Sequence, residues 1–65
     1  MKELTIIVPI YNEEAGIDIL ESEFQIYFEK SSLNPQVLLV DDGSTDGSLL
    51  KIKKLCLANS RFHFL

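Results

Sequence analysis

The 65-residue sequence has almost nothing that staples a small chain together. Cys56 is its only cysteine, so no disulfide can close within it, and no His/Cys spacing suited to a structural metal occurs. A lone cysteine fits a reducing compartment. Positive charge is scarce as well. Six Lys and Arg against ten Asp and Glu give a net charge of -4, and without a basic stripe a nucleic-acid backbone is not an expected partner. Lys51, Lys53 and Lys54 come nearest to such a stripe, but they share one expected helix and read as its solvated face. Long apolar runs are missing too. No stretch approaches the roughly 18 consecutive apolar residues that span a bilayer, and residues 1–10 lack the apolar core and cleavage site of a signal peptide. The chain reads as cytoplasmic in character. At this size it buries only roughly 60% of its unfolded surface, and it stops on the alternating pattern Arg61-Phe62-His63-Phe64-Leu65, so it is expected to be part of a larger domain.

What the sequence does contain is a repeated arrangement of apolar run and polar exit. Leu4-Thr5-Ile6-Ile7-Val8 is β-branched and nearly continuous in hydrophobicity, which predicts a strand covered on both faces and ending near Ile10. Asn12 is placed to cap a following helix, with Glu13 and Glu14 in the first turn beside the positive end of its dipole. Ile17, Leu20, Phe24 and Phe28 recur every three or four residues opposite Asp18, Glu21, Gln25 and Glu29, the pattern of an amphipathic helix. Ser31 to Pro35 breaks that period, and Val37 to Val40 predicts a second, short strand. Asp42 to Ser48 carries the glycines and side-chain oxygens of a tight loop feeding a helix. A second amphipathic helix with Leu49, Ile52, Leu55 and Cys56 on its apolar side ends near Ala58-Asn59-Ser60, and a third strand starts at Arg61 with Phe62 and Phe64 on one face. The order β-α-β-α-β predicts an α/β fold with parallel strands and right-handed crossovers.

In an open sheet of that kind ligands collect outside the carboxyl ends of the strands. The polar clusters after residues 10 and 40 should therefore meet at one rim. A carboxylate there can accept hydrogen bonds from ring N–H or ribose hydroxyl groups, or hold a divalent cation. Asp41 and Asp42 are adjacent and should leave the strand in different directions, one toward a ligand and the other toward the loop. Caps and turns account for Ser44, Thr45 and Asp46 without any ligand, whereas two adjacent acids after an apolar strand exceed what capping requires. Tyr11 offers a flat ring on which a base can stack, or is simply a half-buried aromatic at a strand end. Glu13, nearer the strand than Glu14, is the better placed of the two to meet a sugar hydroxyl. Cys56 reads as a small core residue, and His63, alternating with Phe62 and Phe64, should face the other side of its strand.

Together, Ile7-Val8-Pro9-Ile10-Tyr11-Asn12-Glu13-Glu14 and Leu39-Val40-Asp41-Asp42-Gly43-Ser44-Thr45-Asp46-Gly47-Ser48 resemble the opening of the family-2 inverting glycosyltransferases. The form of the two motifs is most similar to the branch that includes dolichyl-phosphate-mannose-synthase-like and undecaprenyl-phosphate glycosyltransferases. The resemblance spans essentially the whole chain. It implies a Rossmann-like N-terminal half of a GT-A fold, with residues 1–65 as the nucleotide-binding part of an incomplete domain. It also implies transfer of a sugar from a nucleoside diphosphate sugar to a carbohydrate or lipid-phosphate acceptor, in polysaccharide or cell-wall synthesis. Position by position, Pro9 and Tyr11 match residues lining the base pocket, and Glu13 matches a residue near the nucleotide. The acidic pair supplies the carboxylate that recognises the base, Asp42 first and Asp41 second. A divalent cation, Mg or Mn, is implied for the diphosphate. The Asp-x-Asp motif that holds it and any catalytic base fall, in the family, beyond residue 65. The segment alone is then expected to be inactive, and the full enzyme to sit at the inner face of the cell membrane through segments further on.

Other classes fit less well. A receiver-type signalling domain also sets two acids at a strand end for magnesium, but after the first strand, where this chain has Pro9-Ile10-Tyr11-Asn12. A haloacid-dehalogenase-like phosphatase wants acids two apart followed by threonine, which Asp41-Asp42-Gly43-Ser44-Thr45 does not give. No Gly-x-Gly-x-x-Gly follows the first strand, against a dinucleotide-binding domain. A non-enzymatic α/β module whose loops only cap and turn is the remaining alternative.

Overall fold

The computed structural model describes residues 3–65. It contains β1 (Glu3–Ile10), a short 3-10 turn (Glu14–Gly16), α1 (Ile17–Lys30), β2 (Asn34–Asp41), α2 (Ser48–Ala58) and β3 (Phe62–Phe64). The strands form one parallel sheet in the order β1-β2-β3, with Ile6, Val37 and Phe62 in one row and Ile10 opposite Asp41 at the carboxyl end. This is the α/β, Rossmann-like arrangement expected from the sequence. Two successive steps in the same direction across a sheet, made by crossovers of one hand, put both helices on the same face. The buried core accordingly joins Val37, Leu39, Ile10 and Phe62 of the sheet to Ile17 of α1 and Ile52 and Leu55 of α2.

One consequence departs from the sequence reading. β1 is not covered on both faces: Ile7 is 65% exposed, because both helices lie on the other side. Leu38 and Val40 beside it are only half-buried, and His63 pairs across the same open face with Gln36, Nε2 to Oε1 at 2.8 Å.

β2 also begins earlier than expected, at Asn34, and takes in Pro35, which is fully buried. Residues two apart on a strand direct their nitrogens to the same side, and the Val37 N–H donates to the Arg61 carbonyl (2.8 Å), toward β3. Pro35 therefore faces the level below β3, where a missing N–H breaks no ladder bond. Arg61 closes that corner. It precedes β3, its Nη1 donates to Asn34 Oδ1 (2.8 Å) and to the Pro35 carbonyl (3.1 Å), and its guanidinium lies 5.5 Å from the centre of the Phe28 ring.

Aromatic packing holds this end of the sheet. Phe62 meets Phe24 and Phe28 edge-on at 6.0 and 5.5 Å, and Phe24 stacks on Phe28 at 6.0 Å. Along α1 the stripe Ile17, Leu20, Phe24, Phe28 lies against the core as its period requires. On α2 the inward positions are Ser48, Ile52 and Leu55, with Cys56 half-buried; Leu49, expected inside, is exposed. Burial pushes the Cys56 thiol above its ordinary pKa, which suits a packing residue rather than a nucleophile. Replacing Phe62 by Ala should cost about 3–5 kcal/mol. That is comparable to the whole stability of a core this small, so urea titration followed by circular dichroism should find the variant largely unfolded in buffer.

Candidate functional site

At the carboxyl end of the sheet the chain leaves β1 and β2 side by side. The Asp42 N–H donates to the Ile10 carbonyl (2.8 Å), one step past the last paired residues, so Tyr11 and Asp42 emerge as neighbours. The two loops that follow are bonded to each other almost residue by residue. The Asn12 amide donates to Ser44 Oγ (2.9 Å), and the Thr45 amide returns a bond to Asn12 Oδ1 (2.8 Å). The Glu13 amide donates to Ser48 Oγ (2.8 Å), and the Glu14 amide to Asp46 Oδ2 (3.3 Å). The Gly47 amide donates to Glu14 Oε1 (2.9 Å).

These contacts revise several local roles. Asn12 does not cap α1. It stands in the left-handed region at φ 49°, which asparagine tolerates, and its side chain serves the other loop. The first helical turn is 3-10, and α1 starts only at Ile17, with Gly16 at its N-cap and no side-chain cap. Glu14 does not serve its own helix either: its carboxylate sits at the N-terminus of α2, where Gly47 is the N-cap. Asp46 reinforces that end by accepting from the Ser48 amide (2.9 Å). The Ser48 hydroxyl beside Asp46 holds that carboxyl below the usual carboxylate range, with the amides of Ser48 and Glu14 adding to the effect against the opposing influence of desolvation.

Gly43 has φ +78°, where glycine is favoured, and the turn it makes lets the Ser44 amide reach Asp41 Oδ2 (3.2 Å). Gly47 leaves room for the Glu14 carboxylate, since a methyl group there would lie 2.5 Å from Glu14 Oε2 and would displace that flexible side chain from the start of α2. Ser48, buried completely, is the residue whose importance sequence reading missed. Its place at the first position of a helix was visible, but nothing in the chain's order showed that its hydroxyl would receive an amide from the other loop.

Of the residues singled out from the sequence, the structure gathers Pro9, Tyr11, Glu13, Asp41 and Asp42 at this one rim. Tyr11 is 58% exposed, and Pro9, Glu13 and Asp42 are exposed. Asp41 turns inward: one carboxylate oxygen accepts from Ser44 and the other, Oδ1, is buried without a partner. The adjacent acids thus diverge as their strand geometry requires, Asp41 into the turn and Asp42 into solvent. Among the described residues no three His, Cys, Asp or Glu side chains converge as a metal site would need. A groove of about 300 Å³ between α1 and α2, lined by Ile17, Asp18, Glu21, Lys51, Lys54, Leu55 and Ala58, lies on the helical layer and includes no rim residue.

Comparison with known proteins identifies a family. The profile of Glycosyl transferase family 2 matches residues 5–65. The chain is 42% identical over 48 residues to the undecaprenyl-phosphate 4-deoxy-4-formamido-L-arabinose transferase of Aeromonas hydrophila, covering 74% of this chain and 15% of that protein. It is 35% identical over 60 residues to the dolichyl-phosphate beta-glucosyltransferase of Homo sapiens, covering 85% and 18%. With the dodecaprenyl-phosphate galacturonate synthase of Rhizobium johnstonii it shares 36% identity over 52 residues, covering 80% and 15%. The chain spans less than a fifth of the length of these curated relatives.

Two outcomes test the interlocked loops. Gly47→Ala should destabilise the chain modestly beside Glu14, by displacing its carboxylate from the start of α2, and less in a Glu14→Ala background, with a coupling of about 0.5–1.5 kcal/mol in a double-mutant cycle read by urea unfolding. Because the Asp46 carboxyl is held low in the folded chain, its contribution is present above the unfolded pKa and is lost as pH falls through the folded value. Stability measured across the acid range should therefore fall less steeply for Asp46→Asn than for the parent.

Proposed function

The chain belongs to glycosyl transferase family 2, and from that premise we propose that it supplies the nucleoside end of the donor site of a sugar transferase. The substrate is a nucleoside diphosphate sugar. The observation that supports this is what the loops leave over. Ser44, Thr45, Asp46, Ser48, Asn12 and Glu14 are engaged with each other's loops, while Tyr11 and Asp42 remain exposed on neighbouring backbone positions at the strand ends. An aromatic ring and an unengaged carboxylate carried on neighbouring positions suit a nucleobase, stacked on the ring and donating a ring N–H to the carboxylate. Glu13, two residues after Tyr11 and exposed, is our candidate to accept from a ribose hydroxyl, and Pro9, exposed two residues before Tyr11, our candidate to line the base. Asp41 serves the pocket by setting the turn that carries Asp42.

The electrostatics support assigning the nucleoside, rather than the diphosphate, to this rim. A helix N-terminus is a ready anion site, but that of α2 already holds the carboxylates of Glu14 and Asp46. A diphosphate there would meet two negative charges. The residues at hand also do not fit a divalent cation: Asp46 and Glu14 accept amides, the free Oδ1 of Asp41 is buried away from the exposed Asp42, and among the described residues no three acids converge. The cation that would neutralise the leaving group is therefore proposed for acids outside these residues, and we derive no catalytic step from it.

The acceptor we propose is a polyprenyl phosphate, as the names of the undecaprenyl-, dolichyl- and dodecaprenyl-phosphate enzymes suggest. Such an acceptor would hold the whole enzyme at a membrane surface, for which we propose the cytoplasmic face. No described helix is long and apolar enough to cross one.

Isothermal titration with uridine and guanosine diphosphates, and with their sugars, tests the reading. Asp42→Ala should weaken binding by about 1–3 kcal/mol, the scale of an unsatisfied polar partner, and Tyr11→Ala by about 1–3 kcal/mol through lost stacking. Unchanged affinity in both variants, or no nucleotide binding by the parent, would favour a module whose loops only cap and turn.

A further inference from the structure

Away from the rim, the helical layer has an outer face that the core does not explain. Each helix carries two large apolar residues seven apart on the side opposite the sheet. On α1 these are Ile19 and Ile26, 62% and 54% exposed; on α2 they are Leu50 and Leu57, 59% and 89% exposed. A spacing of seven is two helical turns, so each pair forms a stripe of about 10 Å. The charges beside the stripes are opposite in sign. α1 carries Asp18, Glu21, Glu23 and Glu29 against Lys30, whereas α2 carries Lys51, Lys53 and Lys54 and no acid. Among the described residues Lys51 and Asp18 form an ion pair within the chain at 3.3 Å; Glu23, Glu29, Lys53 and Lys54 are exposed and in no ion pair.

We propose that this face binds a second copy of the chain through a two-fold axis running along the helices. Both helices connect parallel strands, so they point the same way. Rotation about an axis lying between them and just above the layer sets α1 of one copy over α2 of the other, twice. Ile19 and Ile26 then meet Leu50 and Leu57, and, in the register set by the Asp18–Lys51 and Gln25–Asn59 contacts, Glu23 of each copy comes nearly level with Lys53 and Lys54 of its partner, the self-complementarity that a two-fold interface demands. An anionic lipid surface fits less well, because the acidic stripe lies in the same plane as the basic one and would be repelled. The layer measures roughly 20 Å by 20 Å from its helix lengths, below the size of a standard specific interface and in the range of transient contacts. The dimer is accordingly weak and in exchange.

Sedimentation equilibrium of the full chain over a wide concentration range, at low and high salt, tests the proposal. The expected result is a monomer–dimer equilibrium that weakens with salt. Lys53→Glu with Lys54→Glu, and separately Glu23→Lys, should each raise the dissociation constant at least tenfold. Mixing these two variants should restore dimers, a rescue that a folding defect cannot produce. A parent that stays monomeric at millimolar concentration would overturn the proposal. So would a dimer indifferent to both charge reversals but broken by Ile7→Asp on the open sheet face.

Discussion

The carboxyl end of this sheet is organised by one constraint: backbone amides leaving two parallel strands must find acceptors before the helices begin. They find them in the opposite loop. Asn12, Glu13 and Glu14 donate to Ser44, Ser48 and Asp46, and Thr45 and Gly47 donate back to Asn12 and Glu14. Four of these five bonds are exposed and the Glu13–Ser48 bond is part-buried, so each contributes about 0.5–1.5 kcal/mol, and it is their number that makes the two loops depend on each other. Bonds within each segment, such as Ser44 to Asp41 and Ser48 to Asp46, add to that hold. That dependence decides which side chains remain for chemistry, since every group bonded across the loops is withdrawn from any ligand.

The opposite end of the sheet is held by different physics. There Phe24, Phe28 and Phe62 pack edge to face, and Arg61 ties the start of β2 to the end of α1. Apolar packing is non-directional, whereas the hydrogen-bonded rim fixes individual atoms. A chain with one covered and one open sheet face has little stability to spare. Placing the directional interactions at the rim and the apolar ones at the far end puts the more exactly positioned atoms where a ligand would arrive.

Family membership accounts for why both motifs occur together in one short segment. The motif around Tyr11 and the motif around Asp42 are two halves of one hydrogen-bonded assembly, and their spacing is the length of one strand–helix crossover. The proposed nucleoside site follows from the remainder, an exposed ring and an exposed carboxylate anchored by the Asp42-to-Ile10 backbone bond.

Much of this was legible in the chain. The alternation of apolar runs with amphipathic periods determined the α/β order, the parallel sheet and the inward stripe of α1, because burial of a helix stripe or a strand row depends on spacing alone. The divergence of Asp41 from Asp42 followed from strand geometry. The sequence also named Asn12, Glu14 and Ser48 as polar residues near helix starts, but it assigned the first two to the nearest helix, since local capping is the contact that spacing can express. Only the tertiary structure decided that Asn12 and Glu14 serve the neighbouring loop, that Pro35 sits inside β2 below the level of β3, and that Ile7 stays uncovered. Each of those outcomes depends on which strand lies beside which, and on both crossovers placing their helices on one face. Residue order constrains that arrangement, and packing completes it.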